Sequence, residues 1–205
     1  MKKMLSSVNL MAPMDHIRDA FHKRPVKLVA GRRYCVTPLT DHLPATQPEL
    51  LEQIIAEASA LVPYKEADCL VGEEDRGGFI CSLLSIPWRK PFTLTKWNPR
   101  DLKGELQIDF RNAYTQGNLY LNGIAEHFKK VIIIEDMIDT GGTVVALVKL
   151  LRSAGVEVKD IFAVAEKADY GGVERIKKET GMTPKILVSF KTGDDVSEVI
   201  WRNGK

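Results

Sequence analysis

Apolar residues along this chain fall into short runs with two different periods. Leu50, Leu51, Ile54, Ile55, Ala58 and Leu61 recur at helical spacing behind Pro48. Proline in a first turn is a start signal, so the pattern predicts a helix from Pro48 that Pro63 stops. Cys69 to Val71 predicts a short buried strand, and a loop rich in acids and glycines, Gly72 to Gly78, follows it. The next helix is expected over Phe79 to Ile86, halted by Pro87. Phe92 to Thr95 reads as a strand, and Lys96 to Glu105, polar with Pro99 and Gly104, as a mobile loop. Leu106 to Phe110 alternates with period two, the mark of a half-buried strand. Val131 to Ile134 is a β-branched run, the mark of a parallel strand buried on both faces. A helix from about Thr143 carries Val144, Leu147, Val148 and Leu151 on one face, and Gly155 is its C-terminal stop. Ile161 to Ala165 and Lys185 to Phe190 predict two further strands.

Strand, loop and helix repeat in that order. The expected class is therefore α/β: one domain over residues 1–205, built on a parallel twisted sheet flanked by helices. In such sheets ligands bind beyond the carboxyl ends of the strands, and the least ordinary loops of this chain lie there. Met1 to Met14 has two lysines and some apolar residues, but Ser6, Ser7, Asn9 and Pro13 break it and no small-residue cleavage site follows. It reads as a helical or disordered arm rather than a secretion signal.

Composition narrows the partners. A net charge of +2 is too small to argue for nucleic acid or a membrane surface. No apolar run reaches the length of about 20 residues that spans a bilayer. Cys35, Cys69 and Cys81 are odd in number and match no metal spacing, which fits a reducing, cytoplasmic setting.

The chemistry concentrates in Val131-Ile132-Ile133-Ile134-Glu135-Asp136-Met137-Ile138-Asp139-Thr140-Gly141-Gly142-Thr143. A buried strand ends in two carboxylates, a turn with hydroxyls and two glycines follows, and a helix begins. Backbone N–H groups at a helix start converge on an anion, and the helix dipole favours it. Glycines let backbone approach a phosphate, and Thr140 and Thr143 add hydroxyl donors. The carboxylates just before this loop suit sugar hydroxyls or a divalent cation. A phosphate with sugar hydroxyls beside it describes a ribose 5-phosphate. The segment lacks the Gly-Lys-Ser/Thr ending of a Walker loop and is not the dinucleotide fingerprint.

That segment resembles the 5-phosphoribosyl-1-pyrophosphate (PRPP) binding motif of type I phosphoribosyltransferases. Gly72 to Gly78 is similar to the family's pyrophosphate loop: Glu74, Arg76 and Gly77 match, whereas Asp75 and Gly78 depart from the usual small residue and aromatic. Tyr114 to Ile124 looks like a stretch of archaeal purine phosphoribosyltransferases, and Thr37-Pro38-Leu39-Thr40-Asp41 and Pro48 to Leu51 resemble the same enzymes. The likeness covers most of residues 34–165 and leaves outside it the C-terminal tail and residues 1–30, which are expected to form an N-terminal arm.

The resemblance implies a type I phosphoribosyltransferase fold with a small hood, and transfer of the phosphoribosyl group to a purine base. It implies the following roles. Asp139, Thr140, Gly141, Gly142 and Thr143 bind the 5-phosphate. Glu135 and Asp136 hold the ribose hydroxyls and stand near Mg²⁺, directly or through water. Glu74, Asp75, Arg76, Gly77 and Lys96 bind pyrophosphate, with Arg100 and Lys103 as further cations of the closing loop. Asp139, as an acid in the Glu-Asp-x-x-Asp-Thr-Gly pattern, contacts the purine as a general base. Lys167 donates to a 6-oxo group. Tyr170, Phe190 and Trp201 are the candidates to sandwich the base. Catalysis then rests on Asp139, Asp136 and Glu135, Mg²⁺ is the cofactor, a homodimer is the expected assembly, and nucleotide salvage is the expected role. Hypoxanthine or guanine is favoured. Adenine is the alternative acceptor, with xanthine and orotate behind it, and a non-catalytic PRPP-sensing regulator is the alternative of another class. As for individual residues, Arg76 reads either as a pyrophosphate ligand or as a surface ion-pair partner of Glu73 or Glu74, and Lys167 either as a base ligand or as a surface lysine.

Overall fold

A computed structural model describes residues 14–111 and 116–204. Its elements in chain order are α1 (His16–Phe21), β1 (Val26–Val29), β2 (Arg32–Cys35), α2 (Pro48–Leu61), β3 (Cys69–Glu73), α3 (Arg76–Trp88), β4 (Phe92–Thr95), β5 (Leu106–Arg111), β6 (Gln116–Leu121), α4 (Ile124–His127), β7 (Lys130–Ile138), α5 (Gly142–Ser153), β8 (Glu157–Lys167), α6 (Gly172–Thr180), β9 (Lys185–Thr192) and β10 (Ser197–Arg202).

Six strands form the central sheet in the order β10-β9-β8-β7-β3-β4. All neighbours are parallel except β10, which runs antiparallel to β9 along one edge. Successive side chains of a strand point to opposite faces, and the two faces have separate cores. Leu70, Ile132, Ile134 and Phe162 pack with α1, α2 and α3 on one side. Cys69, Val71, Val131, Ile133, Ile161 and Ala163 pack with α5, Ile176 of α6 and the β5–β6 ribbon on the other. β7 lies between both layers, which is why Val131 to Ile134 is apolar without alternation.

Local chemistry explains the helix ends. Pro48 occupies the first turn of α2. α5 closes with a Schellman motif: Gly155, at φ +74°, donates to the Arg152 carbonyl at 3.0 Å, and Val156 donates to that of Leu151 at 2.9 Å.

Several expectations need correction. α3 starts at Arg76 rather than Phe79 and runs through Pro87 to Trp88. Pro87 stands one residue from the end, so it interrupts little of the hydrogen-bond ladder. The Gly77-Gly78 pair reads as loop in the sequence, yet it is helical because α3 crosses the sheet closely there. A Cβ on Gly77 would lie 2.9 Å from the Glu135 carboxylate, and one on Gly78 would lie 2.9 Å from Leu94. Residues 1–30 are not simply an arm. Ile17 and Phe21 of α1 are fully buried, and β1 pairs with β2. A six-residue helix is too short to show a period, so the sequence hid it. Residues 1–13 of the arm, and Tyr114 and Thr115 of the Tyr114–Ile124 stretch, lie outside the described residues. Among the described residues no helix is long and apolar enough to cross a membrane, and all three cysteines are buried free thiols.

Candidate active site

β3, β7 and β8 are parallel, so their carboxyl ends share one edge of the sheet. Glu73 ends β3, Ile138 ends β7 and Lys167 ends β8. A cleft of about 470 Å³ opens there. Its floor is Glu135 to Val144, one wall is Glu73, Asp75 and Arg76, and the other is Val29, Ala30 and Tyr34 of the β1–β2 hairpin; Trp97 closes a side.

The floor carries buried acids and hydroxyls that are short of partners. Glu135 and Asp136 are 5 % and 6 % exposed. Glu135 Oε1, Asp136 Oδ2, Thr140 Oγ1 and Glu73 Oε1 are buried and meet no hydrogen-bond partner among the described residues. Such groups cost about 1–3 kcal/mol each when left so, more when charged, and in a native fold they mark where a ligand supplies the missing contact. Burial pushes the Asp136 carboxyl up to about 7, against the pull of the Arg76 guanidinium. Burial and the neighbouring Glu73 and Asp136 carboxylates hold Glu135 well above the usual range. Burial, then Asp75 and Asp136, bring Glu73 to about 7. Three buried carboxyls gathered this closely resist ionisation. Oxygen donors of this kind fit a hard divalent cation or sugar hydroxyls.

Beyond them the chain turns. Gly141 sits at φ +71° before the first turn of α5. A Cβ there would come within 2.6 Å of the Gly172 carbonyl, and one on Gly172 within 2.0 Å of the Asp139 carbonyl. The start of α6 therefore backs directly onto the Asp139–Thr143 loop and fixes its path, with Gly141 and Gly172 in contact range because neither has a side chain. Arg175 of α6 adds a hydrogen bond to the Thr140 carbonyl at 3.3 Å.

On the hood side, Lys167 is 1 % exposed. Its ammonium donates to the Arg33 carbonyl and lies 4.4 Å from the centre of the Tyr170 ring. Burial lowers its pKa, and the Asp139 carboxylate opposes that shift. Tyr170 in turn has Arg32 over its ring at 5.9 Å.

A match to the phosphoribosyl transferase domain family spans residues 108–195. A hypoxanthine/guanine phosphoribosyltransferase of Methanocaldococcus infernus is 34 % identical over 178 residues, covering 87 % of this chain and 96 % of that protein. This chain belongs to the phosphoribosyltransferase family. The hypoxanthine/guanine phosphoribosyltransferase of Methanosarcina barkeri is 32 % identical over 90 % of this chain and 93 % of its own length. Among solved structures, adenine phosphoribosyltransferase of Thermoanaerobacter pseudethanolicus superimposes with a TM-score of 0.69 at 20 % identity, covering 85 % of this chain and 98 % of that one. A Trypanosoma brucei adenine phosphoribosyltransferase in complex with AMP, pyrophosphate and ribose-5-phosphate gives 0.65 at 16 % identity, covering 88 % and 81 %. At that identity the two structures share the fold: a mostly parallel α/β sheet flanked by helices.

In this phosphoribosyltransferase the fold brings Asp75, Arg76, Glu135, Asp136 and Asp139 to Thr143 to one cleft, and leaves Glu74, Gly77, Lys96 and Lys167 off its lining. Glu74 is turned toward the start of the Lys96–Glu105 loop. Its carboxylate accepts the Trp97 N–H at 2.6 Å and pairs with Lys96 at 3.1 Å. Those bonds outweigh burial and hold the Glu74 carboxyl below its usual range. Lys96 is also tied by its backbone to Tyr120 of β6. Gly77 supplies space for α3. Arg76 does not pair with Glu73 or Glu74; its partners are Tyr34 and Asp41. Lys167 is not a surface lysine. Phe190 is core, stacked on Phe21 at 5.3 Å, and Trp201 lies half-exposed on the edge strand β10; neither lines the cleft. Tyr170 keeps its candidacy, beside Lys167.

Glu73, Tyr34 and Trp97 were not legible as site residues. A signal existed for Glu73, the last residue of a buried strand at the ligand-binding end. None existed for Tyr34, which reaches the site only through the hairpin.

Proposed function

We propose that this enzyme transfers the 5-phosphoribosyl group from PRPP to a purine base, with hypoxanthine or guanine favoured, and releases pyrophosphate. One observation carries the reading: the buried, unpartnered oxygens of Glu135, Asp136 and Thr140 at the start of a glycine-rich helix N-terminus. Converging backbone N–H groups of the Asp139–Thr143 turn would take the 5-phosphate. Glu135 and Asp136 would accept the ribose hydroxyls and would stand near Mg²⁺, directly or through water. That ion, when bound, neutralises pyrophosphate charge.

In the reaction a base nitrogen forms a bond to C1 of the ribose as the C1–O bond to pyrophosphate breaks. The base loses a proton, which Asp139 would take. Arg76, on the wall of the cleft, would bind the departing pyrophosphate. Lys96, released from Glu74, would add a second cation as the loop closes and water is excluded. Glu74 thus holds a pyrophosphate ligand rather than being one, since a carboxylate repels that anion.

Base preference rests on Lys167. An ammonium has only donors, so it suits a 6-oxo acceptor and disfavours a 6-amino group. Mg²⁺ dependence, a homodimeric assembly and a cytoplasmic setting for salvage belong to the same proposal. The test offers hypoxanthine, guanine, xanthine, adenine and orotate in turn, with PRPP and Mg²⁺, and measures nucleotide and pyrophosphate. Turnover with hypoxanthine or guanine is expected. Turnover with adenine alone would overturn the base assignment, and PRPP binding without any turnover would favour a sensor.

A further inference from the structure

The Thr37-Pro38-Leu39-Thr40-Asp41 stretch has no role in the reaction described above, yet it is built as a platform. Thr37 is fully buried and Thr40 nearly so. Their hydroxyls lie 2.8 Å apart, and the Thr40 N–H donates to Thr37 Oγ1 at 3.0 Å. One oxygen of Asp41 accepts the Thr37 N–H at 2.8 Å and the Thr40 hydroxyl at 3.0 Å. The other accepts the hydroxyl of Tyr34, on β2 of the hairpin. The Tyr34 oxygen then accepts a hydrogen bond from Arg76 Nη2 at 2.6 Å. The guanidinium lies 5.5 Å from the centre of the Tyr34 ring, and 4.0 Å from Asp41. Tyr34 and Arg76 both face the cleft.

From this chain of contacts we infer that Asp41 and Tyr34 are positioning residues that hold Arg76 ready for pyrophosphate. A phenol has a single O–H. With that proton committed to Asp41, its lone pairs face Arg76, and the orientation of the bond is decided before any ligand arrives. A free arginine side chain carries large rotamer entropy. Fixing it in advance removes that cost from binding, which is the general advantage of preorganisation. One bond to Tyr34 occupies one of five guanidinium N–H donors, and the others suit phosphate oxygens. The inference rests on the reading of Arg76 as a pyrophosphate ligand.

The experiment measures equilibrium binding of two probes, inorganic pyrophosphate with Mg²⁺ and ribose 5-phosphate, to the full chain and to Tyr34→Phe, Asp41→Asn and Arg76→Ala. Tyr34→Phe keeps the ring and removes the bridge. Pyrophosphate should bind about tenfold more weakly, the size expected for a hydrogen bond to a charged group. Ribose 5-phosphate affinity should stay unchanged, because the Asp139–Thr143 loop is left alone. Asp41→Asn should weaken pyrophosphate in the same selective way, and Tyr34→Phe should add nothing in the Arg76→Ala background. Wild-type pyrophosphate affinity in both Tyr34→Phe and Asp41→Asn, with a loss in Arg76→Ala, would overturn the inference alone. An equal loss of both probes would also overturn it, since that marks a general lesion of the fold. Unchanged pyrophosphate affinity in Arg76→Ala would remove the pyrophosphate assignment of Arg76 and the inference with it.

Discussion

The two sides of the cleft are built in opposite ways. The floor, Glu135 to Thr143, is one continuous stretch that leaves the central strand β7 and enters α5. The hood side is assembled from parts far apart: the β1–β2 hairpin, the start of α3, and Lys167 with Tyr170 at the end of β8. The floor is held by a buried strand and by the backbone of α6 behind it, whereas the hood is held by side-chain hydrogen bonds and ring contacts. A contiguous site inherits its geometry from the backbone, so single side-chain changes there alter chemistry more than shape. An assembled site depends on each bond that joins its parts.

The largest expected effect lies on the floor. Asp136→Asn should lower turnover by on the order of 10²–10³-fold, the usual loss when one preorganised electrostatic contact goes. The same variant should melt higher than wild type when both are free of ligand and divalent cation. The sign follows from linkage: the folded carboxyl titrates at about 7, above its unfolded value, so the folded state binds the proton more tightly. Stability from this group is present at low pH and falls by about 1.4 kcal/mol per pH unit as pH rises from the unfolded value toward 7. An amide removes that loss. Thermal melts at pH 5 and pH 7.5 check this, and near-normal turnover would break the contrast between floor and hood.

Next comes the hood. Lys167→Ala should lower the guanine-to-adenine ratio of kcat/KM by roughly 10–100-fold, while leaving the affinity for ribose 5-phosphate alone. An unchanged ratio would remove Lys167 from base recognition. Because its ammonium also binds the Arg33 carbonyl, faster hydrogen exchange in the hairpin should accompany the change.

Gly141→Ala tests whether the floor is a matter of backbone. At φ +71°, with the Gly172 carbonyl 2.6 Å from the new Cβ, it should cost about 1–3 kcal/mol in stability and weaken ribose 5-phosphate as well. Full retention of phosphate binding would show that α6 does not shape the loop. The smallest effect belongs to the hairpin tip, where Ala30 and Gly31 both have positive φ, at 49° and 74°. Such a turn favours Asn or Gly at its first position. Ala30→Gly should stabilise by up to about 1 kcal/mol, read as a shift in Tm.

The contrast also explains what could be read in advance. The helix from Pro48, the strands at Cys69, Phe92, Leu106, Val131, Ile161 and Lys185, and the phosphate loop all follow from local periodicity and turn chemistry. Missed were α1, β1–β2, β6, α4 and β10, none longer than six residues, and α6, whose apolar contacts rest mainly on Val173 and Ile176. The start of α3 was read three residues late, because its glycines serve a close crossing that only the sheet reveals.

By itself, the amino-acid sequence determined the parallel core and the Glu135–Thr143 floor, since residues that act together there are neighbours along the chain. Only the tertiary structure decided which oxygens are buried without partners, that Arg76 answers to Tyr34 forty-two residues away, and that Lys167 meets the Arg33 carbonyl across 134. The physical reason is separation. Local patterns record which face of an element is apolar, but a hydrogen bond between distant segments leaves no periodic trace, and a pKa depends on charges that only folding brings together.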